Sequence, residues 1–433
     1  MLGLQVYTLV QQGQLARPDD EKLAVIPFFK YITIVYIGWM RRLLCRGGNH
    51  AGDTAGRHKP VRRTVFTAAH DRFRDEVGQL FSNEVAPLFP SWEVEGRPPR
   101  SFWKRAAEVG VLGIGVPAHL GGMVGSDFRH SAVVSEESQR LGLALGGLRV
   151  HTDICMPYFL RFGTDSQKRR WVPRLTAGDA VVALALSEPG AGSDLKAMST
   201  RAVRDGSHFI VNGAKTFISN GAAADLVVLA VKTDPGAGRR GISLLVVETN
   251  TPGFERGRRL DKLGLHAQDL AELAFRDMRV SVDNLLGEEN RGFDYLTSNL
   301  AQERVSIAVS SQAAAVAALT ETQRCLEGRR LTQPVRFKLS ALAAETDAGQ
   351  ALADKAIEGV VAGTLSGADA AAVKLYCTEL QGRVLDGCLS ALGVSHCSAS
   401  SLVGRGHLDA RVTRIFGGSS EIMKVIIAQD RGW

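Results

Sequence analysis

The hydrophobic period of this chain changes twice, and those two switches limit the folds open to it more than any single motif does. From Arg62 to about Asp179 apolar residues recur at helical spacing: Phe66, Phe73, Val77, Leu80 and Phe81, then Phe102–Leu112 and Ser131–Leu141, with glycine-rich breaks at Gly113–Gly115 and Leu120–Gly125. Near Ala180 the period shortens. Arg201–Arg204, Ser207–Val211 and Ala214–Ser219 are strand-like runs separated by Asp205-Gly206 and Asn212-Gly213, dipeptides suited to two-residue hairpin turns. Leu226–Lys232, Ile242–Glu248 and Glu272–Arg276 extend the series. After Gly292 the helical period returns over Phe293–Glu327, Phe337–Ala362, Ala368–Leu392 and Ile422–Gln429, whose alanine-rich interiors allow close packing. The pattern predicts an α+β chain: a helical domain over 61–180, a middle antiparallel β-barrel or sandwich over 181–285, and a C-terminal four-helix bundle over 286–433. A parallel nucleotide-binding sheet needs helices between its strands, and none fits here.

Residues 1–60 stand apart. Ten Lys and Arg oppose four Asp and Glu over the first 65 residues, which accounts for nearly all of the formal charge of +7. The body is therefore close to neutral and lacks a nucleic-acid surface. Within the arm, Leu23–Leu44 is apolar but interrupted by Pro27 and Lys30, too broken for a spanning helix, and Arg41 and Arg42 stand where a secretory signal would carry small residues. An interfacial anchor and a non-native extension both remain open. The protein is expected in the cytoplasm, membrane association resting on this arm alone. Cys45, Cys155, Cys325, Cys377, Cys388 and Cys397 are scattered without metal-ligand spacing, so no metal site is expected and a reducing compartment is. Cys388 and Cys397 are near enough in sequence to pair, although free thiols suit a chain of this size better.

The first chemical signal is a carboxylate in the wrong place. Phe293, Leu296, Leu300, Glu303, Ile307, Ser311 and Ala314 share one helical face, so Glu303 interrupts an apolar stripe. Burial would raise its pKa and poise it as a base, whereas pairing with Arg304 would make both structural. A second signal is the glycine-rich Ala183–Asp194, where Gly190 and Gly192 permit close backbone approach and Ser187 and Ser193 offer hydroxyls. Lys215–Gly221 adds the aromatic Phe217 and the hydroxyl of Ser219, a combination suited to an isoalloxazine ring. His151 is expected to be an ordinary packed or surface histidine.

LSEPGAGSD, NGAKTFISNG, GISLLVVET, KLGLHAQDLAEL, NLLGEENRGF, AQERVSIA and IFGGSSEIMK occur in that order. Together they resemble the acyl-CoA dehydrogenase family from about Arg62 to Gln429, most closely its long-chain branch. The resemblance implies a flavoprotein oxidoreductase of fatty-acid metabolism that desaturates an acyl-CoA at the α,β bond. Glu303 would remove the α-proton while a hydride passes to flavin N5. It implies FAD held by Leu184, Ala185, Leu186, Ser187, Glu188, Pro189, Gly190, Ala191, Gly192, Ser193, Phe217, Ile218 and Ser219, with Arg329, Ser419, Ser420 and Glu421 at its far end. Ser193, Arg304, Gly417 and Gly418 would meet the substrate. An electron-transfer flavoprotein is the implied acceptor and a homo- or hetero-oligomer, dimer or tetramer, the implied assembly.

The chain departs from the family at four places. Gly417 stands where many members carry their glutamate, which is why the base is assigned to Glu303. Arg329–Lys338 is short and lacks the Phe-Gly and glutamine usual there, and Ser390–Val394 lacks a glutamine and a second glycine, with branched Val394 in the turn. Asp294 replaces the tyrosine of the long-chain branch. These changes keep two further readings open: a catalytically silent or partner-dependent acyl-CoA-binding subunit, and an acyl-CoA oxidase.

Overall fold

The computed structural model describes residues 63–433; the arm, Leu23–Leu44 included, lies outside the described residues. Helices α1 (Ala68–Leu80), α2 (Phe89–Glu95), α3 (Arg100–Glu108), α4 (Phe128–Arg140), α5 (Gly146–Arg149), α6 (Met156–Phe162) and α7 (Asp165–Thr176) come first. The strands follow: β1 (Val182–Ala185), β2 (Arg201–Asp205), β3 (His208–Ser219), β4 (Leu226–Lys232), β5 (Ile242–Glu248), β6 (Phe254–Arg259) and β7 (Leu270–Ser281). The chain closes with α8 (Gly292–Leu326), α9 (Gln333–Ala362), α10 (Gly367–Leu392), α11 (Leu402–Ala410) and α12 (Ser420–Arg431). Both switches of period therefore mark real changes of structure.

The sheet runs β1-β4-β2-β3-β7-β6, with β5 on β4. Most pairings are antiparallel as expected, but β1 lies parallel to β4 and β2 meets β4 in parallel at one register. The long 186–200 connection makes this possible, carrying the chain back to start β2 in the same direction. Asp205-Gly206 opens a tight turn, with Asp205 opposite His208. Asn212-Gly213, predicted as a second turn, is instead a bulge inside β3, where the register on β7 shifts between Val211 and Gly213. The Asn212 side chain bonds Asp277 in both directions, donating at 3.0 Å and accepting its N–H at 2.9 Å, which holds the strand together across the irregularity. Gly213 has φ +149°, and a Cβ there would overlap Thr200.

The C-terminal bundle has one helix more than predicted. α11 contains Gly404 and Gly406 and shows little period, so its capping by Ser401, which accepts the Gly404 N–H at 2.9 Å, is the better sign of its start. Phe159, Trp171, Val228, Val246 and Leu296 share one core, which welds the first helices and the sheet to the beginning of α8. Cys388 and Cys397 are both free thiols. Among the described residues no helix is long and apolar enough to cross a membrane.

Two histidines hold helix starts in a form that acid should loosen. The Thr67 N–H donates to His70 Nδ1 at 3.1 Å and the Asp127 N–H to His130 Nδ1 at 3.2 Å, capping α1 and α4. The two rings lie 4.4 Å apart between centroids. Burial, then the neighbouring His130 and Arg129, lower the pKa of His70; burial lowers that of His130 against the pull of Asp127. A second proton would have to land on an Nδ1 already accepting a backbone hydrogen. Because the folded pKa values lie below the unfolded ones, the unfolded chain binds more protons, and stability is lost as pH falls through about 6.5 and below. Urea midpoints measured from pH 8 to pH 5 should fall for the wild type. The His70→Gln/His130→Gln double variant, which keeps capping acceptors without the titration, should show a shallower fall.

Candidate active site

Glu303 lies on α8 and is 6% exposed. The segment from α5 to α6 runs antiparallel beside this helix and meets it through a series of hydrogen bonds. The Ile154 carbonyl accepts from Asn299 Nδ2 at 3.1 Å, and the Asp153 carbonyl accepts from Gln302 Nε2 at 3.1 Å. Asp153 Oδ2 takes the Ser306 hydroxyl at 2.5 Å, and Arg149 Nη1 donates to the Ser306 carbonyl at 3.3 Å. Within this frame Tyr158 OH donates to Glu303 Oε1 at 3.0 Å and Asn299 Nδ2 donates to the same oxygen at 3.2 Å. Among the described residues no donor reaches Oε2. Burial raises the Glu303 pKa to about 7, tempered by the Tyr158 and Asn299 hydrogen bonds and by the Arg304 charge. The result is a carboxyl group that titrates near neutrality with one oxygen fixed and the other available.

Arg304 does not pair with Glu303. The two point to different sides of α8, as neighbours on a helix must. Arg304 is 6% exposed, and its Nε has no hydrogen-bond partner. Its charge is felt by Glu303 and also by Lys374, whose pKa falls to about 8 through burial and then through Arg304. Lys374 Nζ donates to the Gly418 carbonyl at 2.8 Å and so anchors the Gly417-Gly418 turn from α10. Gly417 has φ +65°, and a Cβ there would overlap Ile307 Cδ1, one turn beyond Glu303 on α8. The terminal methyl of Ile307 thus packs directly over Gly417.

The glycine-rich loop is stapled from beneath. Glu188 is buried and accepts from Ser199 N (2.6 Å), Ser199 Oγ (2.7 Å), Thr200 N (3.0 Å) and Lys215 Nζ (2.8 Å). Burial alone would raise its pKa, but the Lys215 and Thr200 hydrogen bonds overcome this and hold it at about 2. The Glu188 carboxylate is therefore taken up in supporting the loop. Ala185 and Ile218 also belong to the β core, and Ala191 to the core shared by the helices and the sheet. Leu184, Leu186 and Ser187 keep partial exposure, and Pro189, Gly190, Gly192 and Ser193 are exposed. A Cβ at Gly190 or Gly192 would meet nothing within 4 Å. Phe217 is 64% exposed with φ +57°, an unfavourable backbone for an aromatic residue, held in an irregular stretch of β3. Beside it Ser219 Oγ accepts from Gln268 Nε2 at 2.7 Å. An open glycine backbone, an uncovered ring and flanking hydroxyls fit a flat heterocycle with hydrogen-bonding edges.

The remaining predicted residues are dispersed. Ser419 caps α12, accepting the Ile422 N–H at 3.4 Å, while Ser420 is buried and donates to Glu379 Oε1 at 2.6 Å. Glu421 and Arg329 are exposed, and Val394 is 91% exposed after Gly393, so its branched side chain obstructs nothing within this subunit. Asp294 is exposed and paired with Arg291 at 2.8 Å. His151 is fully buried: it accepts the Val182 N–H at Nδ1 (3.4 Å), and its Nε2 lies 3.2 Å from the Leu175 carbonyl. Burial depresses its pKa to about 4, so it is a neutral packing residue, as expected. Tyr158, Asn299, Asp153, Arg149 and Lys374 were not anticipated. Only Asn299, four residues before Glu303 on one helical face, carried a usable signal.

Residues 67–179, 183–278 and 290–431 match the families described as acyl-CoA dehydrogenase N-terminal, middle and C-terminal domain. The chain is 38% identical over 377 residues to the mitochondrial long-chain specific acyl-CoA dehydrogenase of Sus scrofa, covering 85% of this chain and 87% of that protein. The crystal structure of acyl-CoA dehydrogenase from Geobacillus kaustophilus superposes with a TM-score of 0.83 at 40% identity, covering 86% of this chain and 100% of that one. A glutaryl-CoA dehydrogenase from Mycobacterium smegmatis, solved in complex with FADH2, superposes with a TM-score of 0.78 at 26% identity over 85% and 95% of the two chains. With all three domains matched in order, this chain belongs to the acyl-CoA dehydrogenase family.

Proposed function

We propose that the chain is an FAD-dependent acyl-CoA dehydrogenase that desaturates an acyl-CoA at the α,β bond with Glu303 as the base. The observation that carries this reading is a buried carboxyl group with a pKa of about 7, fixed through Oε1 by Tyr158 and Asn299 with Oε2 left to take a proton. Leu184–Ser193 and Phe217–Ser219 hold the flavin ring through their exposed members, and Ser193 faces the thioester end. Bound FAD supplies the hydride acceptor. The protein's own part is to exclude water, orient the α-carbon and receive the α-proton on Glu303. Lys374 positions the Gly417-Gly418 turn against the substrate, and Arg304 adds positive charge nearby. We infer a homotetramer that passes electrons to an electron-transfer flavoprotein.

Anaerobic addition of straight-chain acyl-CoAs to FAD-loaded protein tests this. Loss of the oxidised flavin band is expected with at least one chain length; a flavin that stays oxidised with every acyl-CoA overturns the reading. A second reading, a subunit whose FAD site is completed by a different chain, is favoured by the exposed Arg329 and the short segment that follows it. Flavin per chain after purification alone decides between them. One FAD per chain removes the partner requirement, and recovery of FAD only on adding a partner chain establishes it.

A further inference from the structure

Resting on that reading, we propose that Arg149 recognises an oxygen atom carried by the acyl group, about one helical turn (~5 Å) beyond Glu303 along α8. The substrate would then be an oxygenated acyl-CoA and not a plain hydrocarbon one. Arg149 ends α5, a short helix wedged between the flavin wall and α8. On one side Gly146 and Gly147 pack so closely that added Cβ atoms would overlap Gln268 and Asn220, the neighbours of Ser219. On the other side Arg149 crosses to the Ser306 carbonyl, which lies on the same stretch of α8 as Glu303. Arg149 therefore lies between the segment beside Ser219 and the stretch of α8 that carries Glu303, where the proposed reading would place the acyl chain.

Its guanidinium makes few contacts with the protein and keeps access to solvent. It carries five donors, yet the single hydrogen bond found for it among the described residues is the 3.3 Å contact to Ser306, and no carboxylate forms an ion pair with it. Asp153 is near enough to be felt, but its oxygens are engaged by the hydroxyls of Thr152 at 2.9 Å and Ser306 at 2.5 Å. Leu148 and His151 are 2% and 0% exposed, whereas Arg149 and Val150 between them keep accessible surface. A partly buried arginine with donors free of protein partners can take an acceptor oxygen, and a carboxylate matches its planar fork best. The wall beyond is polar as well. Ser306 and Ser310 are buried on α8, and Gln139 Nε2 donates to Ser310 Oγ at 3.3 Å.

Three acyl-CoAs of equal length separate the possibilities: hexanoyl-CoA, 6-hydroxyhexanoyl-CoA and adipoyl-CoA. Two measurements are made on the FAD-loaded wild type, Arg149→Leu and Arg149→Gln: kcat/KM for anaerobic flavin bleaching, and affinity by titration calorimetry. The wild type is expected to favour an oxygenated substrate over hexanoyl-CoA by about 10- to 100-fold, and Arg149→Leu to abolish or reverse that ratio. The adipoyl and hydroxyhexanoyl arms tell a carboxylate from a neutral oxygen. A substrate ratio that neither variant changes, or a wild-type preference for hexanoyl-CoA, overturns the proposal. A purely structural arginine would lower all three substrates together. If no acyl-CoA bleaches the wild type, the functional reading fails but the calorimetric ratio still tests Arg149: tighter binding of adipoyl-CoA than of hexanoyl-CoA that is lost in Arg149→Leu supports it, and equal binding refutes it.

Discussion

Glu303→Gln should lower flavin bleaching by acyl-CoA about 10⁴-fold, the upper end of what a positioned base contributes, while leaving bound flavin in place. The same substitution should make the protein more stable at pH 8. Glu303 is buried with its pKa raised from 4.5 to about 7, so the folded state binds more protons than the unfolded state between those values, and stability falls as pH rises through that window. Glutamine keeps an acceptor for Tyr158 and Asn299 without the buried charge, and the expected gain above pH 7 is of order 2–3 kcal/mol. The wild-type bleaching rate should rise with pH around 7, because only the carboxylate can take the α-proton. Rapid-mixing spectroscopy reads the first effect, and urea melts at pH 5 and pH 8 read the second. A glutamine variant that bleaches at the wild-type rate would remove Glu303 from this role.

Lys215→Met should be the most destabilising single change near the glycine-rich loop, costing about 3–5 kcal/mol. Lys215 and Glu188 form an ion pair at 2.8 Å with side chains 0% and 3% exposed, so removing the amine strands a carboxylate whose other donors are Ser199 and Thr200. The Glu188→Gln/Lys215→Met double variant should regain much of the loss, since the cost comes from the unpaired charge more than from the absent pair. A double-mutant cycle followed by thermal melts gives the coupling; additive effects of the two single changes would mean that the pair does not hold the loop. FAD retention should follow the same order, because the Glu188 staple sets the shape of Pro189–Ser193.

Sequence carried the architecture well where periodicity was strong and failed where one residue type serves two geometries. Asn212-Gly213 has the composition of a hairpin turn, yet Asn212 bonds Asp277 on the paired strand and the same two residues form a bulge. Whether such a dipeptide reverses the chain depends on the partner strand, which local sequence does not contain. The site divides in the same way. The buried, unpaired state of Glu303 was legible because an acidic residue on an apolar face must be either paired or poised; its proposed role as base came from the family resemblance at Gly417. Tyr158 was not legible, since it lies 145 residues away from Glu303 and its neighbours read as ordinary core. Glu188 was placed at the ligand by its motif and proved to face the protein, a distinction made by the buried Lys215 opposite it.

The Gly417 turn has a consequence for how such a site can change. A second acid at Gly417 would strain a backbone held at φ +65° and press on the terminal methyl of Ile307, which a change of rotamer can move aside. On the reading that Glu303 is the base, handing that role to the Gly417 turn meets its main resistance in the backbone, whose left-handed conformation favours glycine, and not in the packing of α8.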